Sequence, residues 1–297
     1  KHMPLFRTKC GTYSSAPKFA SFPAGCSVGS LIAVFLMRPL QAVVNILLSG
    51  ETGEKVSNMD DVAQMRIDLA AAYRLAVRFG FNEGISNHFS IALDDDTFLI
   101  NPHGLHWSEI KASDILICDV EGNVLEGRHP VEPTALFIHG QTHRAAPHAK
   151  VVLHSHMPYA TAISMLEGGR IEPVEQNAIR FHGKIAYDDE YNGLALDEEE
   201  GKRIASKLGN KRVMFLANHG VVVVGPNVAE AFDDLYYLER AAMFQVLAQS
   251  TGRPYRRIPE KIVEMTLNQM VGEAETARLH FAALKRQLDK DEPDYLN

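Results

Sequence analysis

The chain has 297 residues, 46% hydrophobic content, a formal net charge of −7 and a pI near 6.0. That length can bury one large core or two modest ones. The acidic balance, with no basic block to track phosphates, excludes nucleic acid as the expected partner and favours a small molecule.

The first fifty residues carry Lys1, Arg7, Lys9, Lys18 and Arg38 and no acid before Glu51. Three readings compete. An acid-poor, Arg- and Ser-bearing segment fits a transit peptide. A membrane span needs about twenty unbroken apolar residues, and the run 31–37 is interrupted by Arg38 and Pro39. The reading we favour is an extension upstream of the domain proper, whose natural start is Met59-Asp60-Asp61; Lys1-His2-Met3 looks vector-derived.

From Asp60 the pattern becomes regular. Val62 to Phe79 carries Met65, Leu69, Ala72 and Ala76 on one stripe, which predicts an amphipathic helix ended by Gly80. Phe98-Leu99-Ile100 predicts a short strand leading into a turn at Asn101-Pro102-His103-Gly104, and 115–125 reads as a hairpin turning at Glu121-Gly122-Asn123. Thr134 to Arg144 predicts a helix that stops before Pro147. Val151-Val152-Leu153 predicts a buried strand that ends in His154-Ser155-His156 and is stopped by Pro158. The runs 213–217 and 221–224, joined through Asn218-His219-Gly220, predict a hairpin with a histidine at its tip. Asn227-Val228-Ala229-Glu230 opens a long helix to about Gln249, and Lys261 to Leu288 supplies one or two closing helices. Short strands between long helices indicate an α/β or α+β sandwich rather than a doubly wound sheet.

Successive strand residues point to opposite faces, so His154 and His156 share one face and can hold one metal ion together. With His219 they make a three-histidine set with an open coordination position, suited to zinc, iron, manganese or cobalt. In a chain with thirteen histidines a lone His-X-His is more often a hydrogen-bonded pair, so the weight of the triad comes from its context. The three cysteines, Cys10, Cys26 and Cys118, lack metal or redox spacing and point to a reducing compartment without a disulfide framework.

The segments Gly84-Ile85-Ser86-Asn87-His88-Phe89-Ser90, Ile100-Asn101-Pro102-His103-Gly104-Leu105, 147–156 and Asn218-His219-Gly220 occur in an order and spacing that resembles the class II aldolase and adducin N-terminal domain family. The resemblance covers roughly residues 60 to 255. It implies an α/β fold, a three-layer α/β/α sandwich around a largely antiparallel nine-stranded sheet. It also implies a metal held by His154, His156 and His219, and assembly as a homotetramer or similar ring. The organisation expected from it is an N-terminal extension over 1–58, the aldolase/adducin-like domain over 59–255 and a C-terminal helical extension over 256–297.

Family enzymes such as L-fuculose-phosphate aldolase polarise a carbonyl with the metal and move the proton with a glutamate. A gap-free match through Pro147-His148-Ala149-Lys150 and His154 puts Ala135 at that glutamate's place, and the nearest acid is Glu132. Where the sugar-phosphate enzymes bind phosphate with Gly-Asn, Thr-Gly and two serines, this chain has Ser86-Asn87, His103-Gly104 and Pro133-Thr134. The resemblance is therefore closer to the adducin-like branch, which also holds metal-dependent decarboxylases, non-haem iron oxygenases and the non-catalytic cytoskeletal adducins.

The expectation is a divalent-metal lyase that cleaves a C–C bond, by retro-aldol reaction or decarboxylation, in a small non-phosphorylated hydroxy- or keto-carboxylate. The alternatives are an adducin-like scaffold and an iron oxygenase on the same ligands. Zinc is the first choice of metal, then manganese or iron. His103, His182 and Tyr187 are the candidate proton carriers; Asn87, Gly104 and Arg180 are the candidate substrate contacts, Arg180 as a two-pronged carboxylate clamp. Trp107 is expected to be buried packing. No nucleic acid and no membrane are expected as partners, and the expected location is cytoplasmic, or mitochondrial if residues 1–50 are a transit segment.

Overall fold

Residues 59–297 are described in the computed structural model; the N-terminal extension, with Cys10 and Cys26, lies outside the described residues. A long first helix, α1 (Met59–Phe79), leads to strands β1 (His88–Ala92), β2 (Thr97–Ile100), β3 (Leu116–Asp119) and β4 (Val124–Glu126). A helical stretch follows, formed by α2 (Pro133–Ala135), a π turn (Leu136–Gly140) and α3 (Gln141–Ala145). Then come β5 (Val151–Ser155), α4 (Pro158–Ser164), α5 (Gln176–Ile179), β6 (Ile185–Asp188), α6 (Glu198–Leu208), β7 (Val213–Leu216) and β8 (Gly220–Gly225). The chain closes with α7 (Val228–Gln249), α8 (Glu260–Gln269) and α9 (Glu273–Asp291).

The strands form one sheet in the order β4-β3-β2-β1-β5-β8-β7-β6, antiparallel throughout except where β6 runs parallel to β7. The largely antiparallel α/β sandwich is thus as expected, with eight strands rather than nine among the described residues. Alternate residues of the central strands feed two layers. Val151, Leu153, Val213, Phe215, Val221 and Val223 join the larger core cluster under α1, α4, α7 and α9, whereas Val152, Met214, Leu216, Val222 and Val224 pack with Ile138, Ile204 and Leu208 on the other face. Burial on both faces explains why β5, β7 and β8 read as unbroken apolar runs instead of alternating ones.

Helix starts are set by side chains. Asn227 accepts the Glu230 backbone N–H at 3.0 Å and Asp197 accepts that of Glu200 at 2.8 Å, ahead of three successive glutamates that favour the positive end of α6. The 256–297 segment is helical and gives Phe281, Leu288 and Tyr295 to the larger core cluster, while Arg74 of α1 holds Glu292 and Asp294. No helix among the described residues is long and apolar enough to cross a membrane.

For the site, the arrangement at the sheet's centre decides everything. Strand β5 lies between β1 and β8, so His154 stands opposite His88 on one side and Val222 on the other.

Candidate metal centre

His154 is the fourth residue of β5, His156 follows the strand's last residue, and His219 sits in the β7–β8 link. One ring nitrogen from each lies within 4.8 Å of the others. The rings are spaced 4.7 to 5.0 Å between centroids and tilted 60 to 80° to one another, so they radiate around a common point. The link takes the sharp course this needs because Asn218 adopts φ 55°, a left-handed conformation that asparagine tolerates better than most residues. Gly220 brings β8 close to β5: a Cβ there would stand 2.6 Å from the Ser155 carbonyl oxygen and 2.8 Å from His156 Cδ2.

The hydrogen bonds say what the nitrogens can do. His154 Nδ1 lies 3.0 Å from the Val221 carbonyl, which only accepts, so Nδ1 carries the hydrogen and Nε2 is bare. That bare Nε2 faces His156 Nε2 at 3.2 Å. Two imidazole nitrogens bound at about 2.05 Å to one tetrahedral ion stand roughly 3.3 Å apart, so the spacing fits a shared ligand role. A backbone carbonyl orienting the ligand's other nitrogen is the usual outer support of such a site. Burial depresses the pKa of His154 well below the ordinary range, with His219 adding to it; burial also lowers His156, and burial then His156 bring His219 to about 4. The imidazoles are thus neutral at physiological pH, the form that binds metal.

Behind His154 lies His88, fully buried, its ring stacked on that of His154 at 4.9 Å. Burial, then His156 and His219, depress its pKa to about 3. Its Nε2 is 3.5 Å from a Glu132 carboxylate oxygen. Glu132 caps α2 by accepting the Ala135 backbone N–H at 2.9 Å, so its carboxylate folds back over the position of the missing glutamate, where Ala135 is buried. This histidine was not among the sequence candidates. The signal was present in β1, where the two-residue period puts His88 and Ser90 on one face.

The other predicted residues are placed unevenly. Asn87 is buried, and its Oδ1 accepts the backbone N–H of Glu83 at 2.8 Å and of His156 at 3.4 Å, while its Nδ2 is buried without a partner. His103 and Gly104 are exposed in the turn after β2, Gly104 at φ 96°. Tyr187, on β6, accepts the Ile171 backbone N–H at 3.0 Å and lines a cavity of about 330 Å³ with Phe215, Ala217 and Asn218 on the flank of the His219 link. His182 pairs with Glu260 at 3.0 Å. Arg180 is not free to clamp a carboxylate: its guanidinium is bound to Asp233 and Asp234 of α7 and lies over Tyr237. This arginine between apolar residues is held by two consecutive acids of α7, which already occupy its fork. Trp107 is fully buried against Tyr73 and Phe89, as expected.

An α/β sandwich carrying three converging histidines at the end of a central strand defines the class of protein. The family model described as Class II Aldolase and Adducin N-terminal domain matches residues 67–246, and the chain belongs to that family. It is similar to a Caulobacter vibrioides protein named for the class 2 aldolases, with 35% identity over 78% of this chain and 91% of the relative. It is also similar to Decarboxylase NovR of Streptomyces niveus, with 31% identity over 76% of this chain and 86% of the relative. Among solved structures, the aldolase II superfamily protein from Pseudomonas syringae superposes with a TM-score of 0.74 and 34% identity, covering 79% of this chain and 96% of the other.

Proposed function

We propose that this chain is a divalent-metal-dependent lyase that cleaves a carbon–carbon bond, by retro-aldol reaction or decarboxylation, in a small non-phosphorylated hydroxy- or keto-carboxylate. The observation that carries the reading is the convergence of His154, His156 and His219, with His154 Nε2 bare and 3.2 Å from His156 Nε2, a donor set that fits a metal. His154, His156 and His219 would hold the ion, zinc first by ligand type. When bound, such an ion supplies Lewis acidity to a carbonyl oxygen, which stabilises the electron pair left as the bond breaks.

The remaining groups are the chain's own. Asn87 holds an unpartnered buried amide beside His156 and donates it to a substrate oxygen. With Ala135 in place of the acid, Glu132, whose carboxylate oxygen lies 3.5 Å from His88 Nε2, is the group to accept a proton, and His88 accepts a hydrogen bond only; His103, Gly104, Tyr187 and His182 are the further candidates for contact with substrate. Burial raises the pKa of Tyr187, so it keeps its proton and can donate it as a hydrogen bond while its oxygen accepts the Ile171 N–H. The same reading expects a homo-oligomer, a tetramer by family pattern, in the cytoplasm.

A second reading, a non-catalytic adducin-like scaffold, draws on one observation: Ala135 leaves the site without the family's acid. Elemental analysis of purified protein, then a screen of hydroxy and keto acids for carbon dioxide or aldehyde release, separates the two. Stoichiometric metal with turnover of such an acid is expected. Protein that carries no metal overturns the lyase reading, metal without turnover favours the scaffold, and ferrous iron with oxygen uptake marks an oxygenase instead.

A further inference from the structure

Four polar groups, three of them fully buried, form a chain behind the metal centre. His88 Nδ1 lies 2.9 Å from His139 Nε2, His139 Nδ1 lies 2.5 Å from Ser90 Oγ, Ser90 Oγ lies 2.7 Å from His143 Nε2, and His143 Nδ1 lies 2.7 Å from the Ala149 carbonyl oxygen. His88, Ser90 and His139 are fully buried, and His143 is half-buried against Phe98. We propose that Ser90, His139 and His143 are positioning residues that lock the tautomer of His88, so that it turns a bare Nε2 toward Glu132 at the edge of the metal centre.

The lock follows from counting hydrogens. A carbonyl oxygen only accepts, so His143 must carry its hydrogen on Nδ1 and leave Nε2 bare. Ser90 must then donate to His143 and accept from His139. His139 spends its one hydrogen on Ser90 and presents a bare Nε2 to His88. His88 in turn donates from Nδ1. Each of the four contacts receives one hydrogen and none is left over, provided every imidazole is neutral. Burial supports that condition, depressing His139 well below the ordinary range and His143 to about 4. The direction of the whole chain is thus set from its far end, at a backbone carbonyl.

The near end is where it acts. His88 Nε2 faces Glu132 Oε2 and Thr134 Oγ1, each at 3.5 Å, and the Thr134 hydroxyl already donates to the same Glu132 oxygen. Two acceptors, an imidazole nitrogen and a carboxylate, therefore stand side by side with no hydrogen of their own. On the lyase reading a substrate hydroxyl there hands its proton to the Glu132 carboxylate, with the bare His88 Nε2 beside it as a hydrogen-bond acceptor; the tautomer lock itself stands whatever the reaction is.

The test is the ring-nitrogen signature of His88 in the full chain labelled with ¹⁵N-histidine, recorded metal-free and zinc-loaded. The wild type is expected to show hydrogen on Nδ1 of His88. His143→Leu, three links away, removes the acceptor that sets the direction, and the hydrogen of His88 is expected to move to Nε2, toward the Glu132 carboxylate. Ser90→Ala, which cuts the chain in the middle, should do the same and serves if the leucine variant fails to fold. A wild-type His88 protonated at Nε2, or a tautomer unchanged in the folded variants, overturns the proposal. Because the readout is a tautomer and not turnover, loss of the lyase reading and loss of this one are separate results.

Discussion

Two buried polar clusters in this fold look alike in composition and differ in what they lack. In one, Arg180 binds Asp233 and Asp234, Arg212 binds Asp234 at 2.9 Å, and His280 binds Asp233 at 2.7 Å, tying α5, α7 and α9 together. Burial works against the charge of Arg180, yet Asp234 and Asp233 overcome it and hold its pKa above the usual value. In the other, His154, His156 and His219 turn nitrogen toward nitrogen. In the first cluster each carboxylate meets a cation, though Arg212 Nε is left buried and unpartnered; the second brings imidazole nitrogens together with no acid among them. Buried charge that is fully matched reads as structure, and converging lone pairs read as a site.

The comparison can be broken by exchanging the damage. His154→Ala is expected to lower zinc affinity by more than about a hundredfold, beyond what loss of an outer support costs, while the fold persists; equilibrium dialysis with metal analysis reads it. Asp233→Asn should leave metal content per folded chain unchanged and cost about 3–5 kcal/mol in denaturant unfolding, because it strands part of a buried guanidinium pair. If Asp233→Asn emptied the metal site, or His154→Ala left zinc bound, the division between the clusters would be wrong.

What the sequence disclosed follows the same division. The ligands were legible because their signals are local: His154 and His156 share a strand face, and His219 sits in a turn-prone link between two apolar runs. The central strands and the long helices α1 and α7 were legible for the same reason, since period and caps lie within a few residues. The role of Arg180 was not, because its partners are 53 and 54 residues away and nothing near Ile179 or Phe181 announces two acids on α7. Nor was the chain from His88 to His143, which needs β1 to lie beside the helical stretch 133–145. Strand β6 was hidden by its position at the sheet's edge, where Ile185 to Tyr187 are only half-buried and the apolar pattern is weak.

Glu239 belongs to neither cluster, and it sharpens the contrast between them. It is a buried acid on α7 with no ion-pair partner among the described residues; its carboxylate accepts the backbone N–H groups of Tyr159 and Ala160, both at 2.8 Å. Those donors open α4, three residues after His156, where Met157 offers no capping side chain of its own. Burial pushes the carboxyl up from 4.5 to about 7, with the two backbone donors opposing it. A pKa raised in the folded state means that the folded chain holds the proton more tightly than the unfolded one. The stability this contributes is therefore fully present below about 4.5 and is lost as pH rises through about 7. The gap corresponds to about 3 kcal/mol at full titration. Denaturant unfolding of wild type and Glu239→Gln, measured side by side from pH 5 to 8.5, isolates the effect, since other titrations cancel in the difference. The wild type should lose ground to the variant as pH rises. A difference that stays constant over this range would mean that the two N–H donors outweigh burial and hold Glu239 ionised, which would make it a second self-sufficient structural tie like Asp233.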